Sequence, residues 1–158
     1  MNYQTIDHTK QIAEILPIET LPSVPCSERL KRWAGQLEQQ MNGKLQLLCG
    51  TEFASSVRRT ALRQEHSPLS VAFADPILRA HGLAGETYGH ARCFFGIRDR
   101  TLHEIVCYCH YSSSVAPGAD IAIRVRRAAQ RAERIESISA ALGLGGTRIS
   151  EALVRFFV

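Results

Sequence analysis

At 158 residues, with 45% apolar and 22% charged side chains, the chain has the length and balance of one globular domain, residues 1–158, with a core of its own. No apolar run reaches the roughly 20 residues of a membrane helix, and the start lacks the basic-then-apolar layout of a signal peptide, so no membrane partner and a cytoplasmic location are expected. Net charge is +4, and of the 19 cationic residues only Lys10, Lys31 and Lys44 are lysines; arginine keeps its charge when buried and grips carboxylate or phosphate with a planar fork, which favours an anionic partner.

Residues 1–26 hold three prolines, Pro17, Pro22 and Pro25, and are expected to run as an irregular segment. Ser27 is placed to cap a helix from Glu28 to Met41, on which Leu30, Trp33, Leu37 and Met41 recur at helical spacing, and Asn42-Gly43 ends it. Lys44 to Phe53 reads as a strand, Val57 to Gln64 as a less regular one, and Pro68 to Phe73 as a short apolar run. Pro76 opens a helical turn through Ala80, and His81 to Glu86 is a loop. His90 to Ile97 and Leu102 to Tyr111 then read as two strands joined by a tight connection, "RDRT". Ser112 to Asp120 is a loop that leads into a long basic helix over 120–142, broken at Gly143, Gly145 and Gly146. A short helix or strand follows at Ser150 to Phe157. Helices and antiparallel strands are segregated, which predicts an α+β fold with an antiparallel sheet covered by helices.

Side chains alternate faces along a strand. A hairpin of these two strands puts His90, Arg92, Phe94, Ile105, Cys107, Cys109 and Tyr111 on one face, with Arg92 across from Cys107 and His90 across from Cys109. His110 falls on the other face, so "CYCH" fails as a metal motif in a regular strand. Two thiols and one imidazole beside a fixed cation make a poor zinc set. No metal and no cofactor are expected. Five cysteines, an odd number, fit reduced thiols, and Cys107 and Cys109 read as small buried apolar side chains. A thiolate–imidazole pair of Cys107 or Cys109 with His90, activated by Arg92, is the reactive alternative. Arg92, in mid-strand, must find a partner. That partner is either a carboxylate of the chain (Glu52, Glu86 or Glu104), or bulk water, or the carboxylate of a ligand, gripped by two charge-assisted bonds.

The order of pieces resembles chorismate lyase and its relatives, the ligand-binding UTRA domains of bacterial regulators. A helix and strand ("RLKRWAGQLEQQMNGKLQLLCGTEF") lead through "GLAGET" to a strand with an internal arginine ("YGHARCFF"). A polar turn and a second strand ("LHEIVCYCHY") complete the match, which spans roughly Arg29 to Tyr111. The resemblance implies a chorismate lyase-like sheet whose strand arginine, Arg92 by position, holds the carboxylate of an aromatic ligand. Two features depart from that pattern. The second strand runs into Ser112-Ser113-Ser114 where the family has a proline-containing exit, and Glu151 is the one carboxylate after Glu136. A lyase-type turnover is therefore an open matter in the sequence.

On the long helix, Arg124, Arg127, Arg131 and Arg134 are spaced to share one side, while Ile121, Val125, Ala128, Ala132 and Ile135 line another. Residues 120–158 carry seven arginines against four acids, and such a stripe attracts phosphates through electrostatics alone. "GLGGTR" lacks the Lys-Ser/Thr of a P-loop and follows a helix, so Gly143 reads as a helix stop. The leading expectation is a pocket for a small anionic, aromatic carboxylate, with Arg92 as anchor, His90 as hydrogen-bond or proton donor, and Phe94, Cys107, Cys109 and Tyr111 as lining. The rival is a non-enzymatic adaptor or nucleic-acid-binding protein that uses the Arg124–Arg134 stripe.

Overall fold

The computed structural model describes residues 24–40, 43–49, 55–143 and 147–158. Its frame is a pair of antiparallel helices, α1 (Cys26–Gln39) and the long helix named α7 below (Gly118–Ala141). Leu30, Trp33, Ala34 and Leu37 are the buried stripe of α1; Ile121, Val125, Ala128, Ala129 and Ala132 are that of the long helix. Polar pairs along the seam set the register. Ser27 donates to Glu136, Lys31 Nζ lies 2.9 Å from Glu133, and Arg126 donates two 2.6 Å bonds to Glu38. At the end of the seam the two backbones nearly touch: a Cβ on Gly118 would stand 2.4 Å from the Leu37 carbonyl oxygen. Only glycine permits that approach.

Between these helices the chain forms β1 (Lys44–Gln46), α2 (Ser56–Thr60), α3 (Pro68–Ala74), α4 (Pro76–Ala80), α5 (Tyr88–Phe95), α6 (Asp99–Val106) and β2 (Val115–Pro117); α8 (Thr147–Phe157) follows α7. The sheet is β1 against β2, antiparallel, with Leu45 opposite Ala116. The class is α+β in the coarse sense, dominated by helices, with the sheet reduced to a clasp.

Several expected elements take a different form. His90–Ile97 and Leu102–Tyr111 are not strands. The first lies in α5, where Tyr88, Ala91 and Phe95 are buried at helical spacing, Thr87 caps the start by accepting from His90 N–H, and Gly96 closes the end at φ 62°. The second begins as α6, with Leu102, Ile105 and Val106 turned inward. Aromatic and β-branched residues favour strands locally, but here the inward-facing set recurs every three or four residues, and packing decides. "RDRT" consequently contains the start of α6 and not a hairpin turn. Val57 to Thr60 is helical, as is Pro68 to Ala74, where Ser67 accepts from Ser70 N–H as the cap. Ser27 does not cap α1; Pro25 precedes the first turn, its fixed φ suiting that position, and the Ser27 hydroxyl goes to Glu136. α7 starts at Gly118, within the expected loop. Residues 1–23, Met41, Asn42, 50–54 and 144–146, with their expected irregular segment, strand end and glycine break, lie outside the described residues.

The core joins α1 to α5. The Trp33 ring stacks on Phe95 with centroids 4.6 Å apart, and its Nε1 donates to the Pro68 carbonyl. Beside it sits a buried cation. Arg29, 2% exposed, donates to the Phe94 carbonyl and lies 5.2 Å over the Phe94 ring. It thereby meets the negative end of α5, where the last carbonyls lack helical partners.

Two glycines on the α1–α7 pair test this packing in opposite directions. Gly35 lies inside α1 and a Cβ there would meet nothing within 4 Å. Gly35→Ala is expected to stabilise the fold by about 0.5–1 kcal/mol, through helix propensity and a less flexible unfolded chain. Gly118→Ala is expected to cost about 2 kcal/mol, because the new methyl must push the seam apart. Urea unfolding of both variants against the parent checks the pair; equal shifts in the same direction would contradict it.

Candidate metal centre

The site begins with the way α6 ends. Val106 is its last residue, and Cys107 turns extended at φ −98°, ψ 138°. Leu48, from the segment after β1, pairs in parallel with Cys107: its N–H donates to the Val106 carbonyl at 2.9 Å, and its carbonyl accepts from Tyr108 N–H at 3.1 Å. These bonds take up backbone groups that another helical turn would need. The chain then folds back through a single 3-10 turn, Tyr108–His110. The reversal carries His110 onto the flank of α6, where His103 projects from the last turn.

His103 Nδ1 and His110 Nε2 lie 2.9 Å apart, with the two rings nearly perpendicular at 87° and centroids 5.0 Å apart. Cys109, on the same turn, completes a trio: one donor atom from each of His103, Cys109 and His110 falls within 4.8 Å of the other two. No other three His, Cys, Asp or Glu side chains among the described residues converge in this way. His103 is half-buried, whereas Cys109 and His110 are exposed.

One side chain braces the turn from α7. Arg124 donates from Nη1 to the Glu104 carbonyl and from Nη2 to the His110 carbonyl, each at 2.8 Å. It thus grips the end of α6 and the turn that carries Cys109 and His110 at once. Its guanidinium lies 4.2 Å over the Tyr111 ring, and the Tyr111 hydroxyl donates to the Ile105 carbonyl at 2.6 Å. Burial pushes the Tyr111 phenol up from its ordinary value, which keeps it protonated as that donor.

The residues expected to share a strand face are divided among several environments. Phe94 and Cys107 are buried in the core. His90 is exposed near the start of α5, its Nδ1 3.0 Å from the Thr87 hydroxyl. Arg92 is on the same helix with its side chain 37% exposed, and its Nη1 is 3.6 Å from Asp99 Oδ1. Asp99 also receives Arg59 at 2.6 Å and the Tyr88 hydroxyl. Two surface hollows, of about 600 and 510 Å³, flank α1; Arg92 lines neither. Tyr111 lies under Arg124, one of the four arginines in the expected stripe, and Cys109 sits on the turn whose His110 carbonyl Arg124 grips. Strand parity sets His110 on the face opposite Cys109, and that geometry lapses once the segment is a helix followed by a turn. The spacing H-x5-C-H across a helix end was the available signal.

No protein-family model, curated protein or solved structure matches the chain.

The brace gives a specific expectation. Arg124→Met retains the aliphatic stem but leaves two carbonyls without their charged donor, and is expected to lower stability by about 2 kcal/mol. Tyr111→Phe, which loses one neutral bond, is expected to cost about 1 kcal/mol. Amide hydrogen exchange of the Tyr108–Tyr111 segment should accelerate in Arg124→Met. Unchanged protection there would show that the brace is idle.

Proposed function

We propose that the chain binds a first-row transition-metal ion, zinc(II) foremost, through His103, Cys109 and His110. The observation that carries this reading is the convergence of two imidazole nitrogens 2.9 Å apart with a thiol in the same cluster. A tetrahedral zinc site with Zn–N bonds of about 2.0–2.1 Å separates its nitrogen donors by about 3.3–3.4 Å. Side-chain rotation alone opens the histidine pair by that small amount. Imidazole and thiolate both suit zinc, and the thiolate adds a negative charge that balances part of the ion's. Three protein donors leave a fourth position for water. With two of the three ligands at the surface, the ion would exchange with solvent, as befits reversible binding and not a closed structural site.

The reading of Arg92 as the clamp of a small aromatic carboxylate, with lyase-type turnover in a chorismate lyase-like fold, carries a greater demand. Asp99 already stands beside Arg92 and Arg59, so a guest carboxylate would have to displace an internal one.

Isothermal titration of the reduced protein with zinc alone is expected to give one site per chain. His103→Ala, His110→Ala and Cys109→Ser should each weaken it by at least about tenfold, with the fold intact by circular dichroism. Cys93→Ser, an exposed thiol on α5, should leave affinity unchanged. Cobalt(II) should give a thiolate-to-metal charge-transfer band that Cys109→Ser abolishes. Zinc affinity indifferent to both histidine substitutions, or no saturable binding, would remove the proposal.

A further inference from the structure

One arc of α7 faces solvent for most of the helix. Ile123, Arg127, Arg131, Arg134 and Ile138 follow one another at spacings of four, four, three and four, and Leu142 continues the line just past the helix end. That spacing keeps them within about a quarter of the helix circumference. All six are exposed, the apolar ones heavily: Ile123 52%, Ile138 59% and Leu142 67%. The other arginines of the helix are occupied, Arg124 by two carbonyls and Arg126 by Glu38. Arg127, Arg131 and Arg134 have no ion-pair partner among the described residues. The two acids in this stretch, Glu133 and Glu136, are turned to α1, where Lys31 and Ser27 hold them. The arc is therefore three uncompensated cations in a row between apolar ends, and Arg124 is not part of it.

We infer that this arc docks an acidic amphipathic helix of a partner protein, with carboxylates over Arg127, Arg131 and Arg134 and apolar side chains over Ile123 and over Ile138 and Leu142. The apolar ends are about 22 Å apart at 1.5 Å per residue, a span that a partner helix of four turns covers. Charge complementarity selects the sign of the partner. It also rejects a second copy of this chain: antiparallel self-pairing on the arc sets Arg131 against Arg131 and Arg127 against Arg134, and like charges so placed are destabilising. The apolar ends discriminate against nucleic acid. Phosphates reward the arginines but give the exposed isoleucines and leucine no surface to bury, whereas an amphipathic helix can offer carboxylates to the central arginines and apolar side chains to both ends. The site is separate from the metal trio and stands whether or not an ion binds there.

Fluorescence anisotropy with a synthetic probe tests the inference. The probe is a labelled helical peptide with three glutamates at the matching spacing and a leucine at each end, about 22 Å apart. Saturable binding is expected, weakened at least about tenfold by Arg127→Glu with Arg131→Glu. A lysine-for-glutamate peptide should then bind that doubly reversed variant, a rescue that a misfolded protein cannot give. Ile138→Ser with Leu142→Ser should weaken the original peptide several-fold while leaving its salt dependence unchanged. Absence of saturable binding overturns the inference. So does equal affinity for a leucine-free peptide or for a short DNA duplex, since either would make the arc a general polyanion surface.

Discussion

The rotational setting of α7 against α1 is the constraint on which the rest of the structure depends. Successive helical residues turn by about 100°, so a slip of one position would exchange every face of α7. Gly118 against the Leu37 carbonyl allows the backbones to close, and Ala128, Ala129 and Ala132 keep the buried face small. Ser27–Glu136, Lys31–Glu133 and Glu38–Arg126 then hold one flank in register. The exposed ion pairs among these are individually weak; the apolar seam supplies the energy, and the pairs choose among registers. With that flank fixed, Arg124 falls on the opposite flank, at the metal trio, and Arg127, Arg131 and Arg134 are left facing outward.

The trio itself arises from an interrupted helix. α6 presents His103 on its last turn, Leu48 captures the backbone at Val106 and Tyr108, and the 3-10 turn returns Cys109 and His110 to the same flank. Arg124 has a double effect there. Its two bonds fix the Glu104 and His110 carbonyls and so hold the trio in place for the proposed ion. Its charge opposes a bound cation, an opposition eased by exposure to water and by the thiolate. Placing the guanidinium on carbonyls and on the Tyr111 ring keeps it directed at the backbone.

The strand reading makes Arg92 the arginine that must find a partner, but which arginine is buried depends on the secondary structure. Read as a strand, "YGHARCFF" places Arg92 beside Phe94 and inside a sheet. As α5, the same segment sends Phe94 inward and Arg92 to Asp99 near the surface. Among the described residues Arg29 is the buried cation, and its position is legible: it stands three residues after Cys26 and four before Trp33, on the inward face of α1. What the sequence does not carry is its partner, the Phe94 carbonyl at the end of a helix 65 residues on. The basic stripe was legible in the same partial way, since spacing grouped Arg124 with Arg127, Arg131 and Arg134 but could not tell which of them the fold would occupy.

By itself the sequence determined what local geometry can determine. The frame helices, the turn at Pro76, the loop at His81–Glu86 and the stop at Gly143 follow from apolar spacing, from proline and from a left-handed glycine at φ 68°. The tertiary structure alone decided that 88–95 and 99–106 are helices, since segments of eight residues rich in Phe, Ile, Val and Cys satisfy either periodicity until Trp33 and the rest of the core select one. It alone brought His103 to His110, because that meeting requires Leu48, more than fifty residues earlier, to halt a helix. The H-x5-C-H spacing is visible in the sequence, but the Leu48 contact that folds it into a trio leaves no mark in either segment.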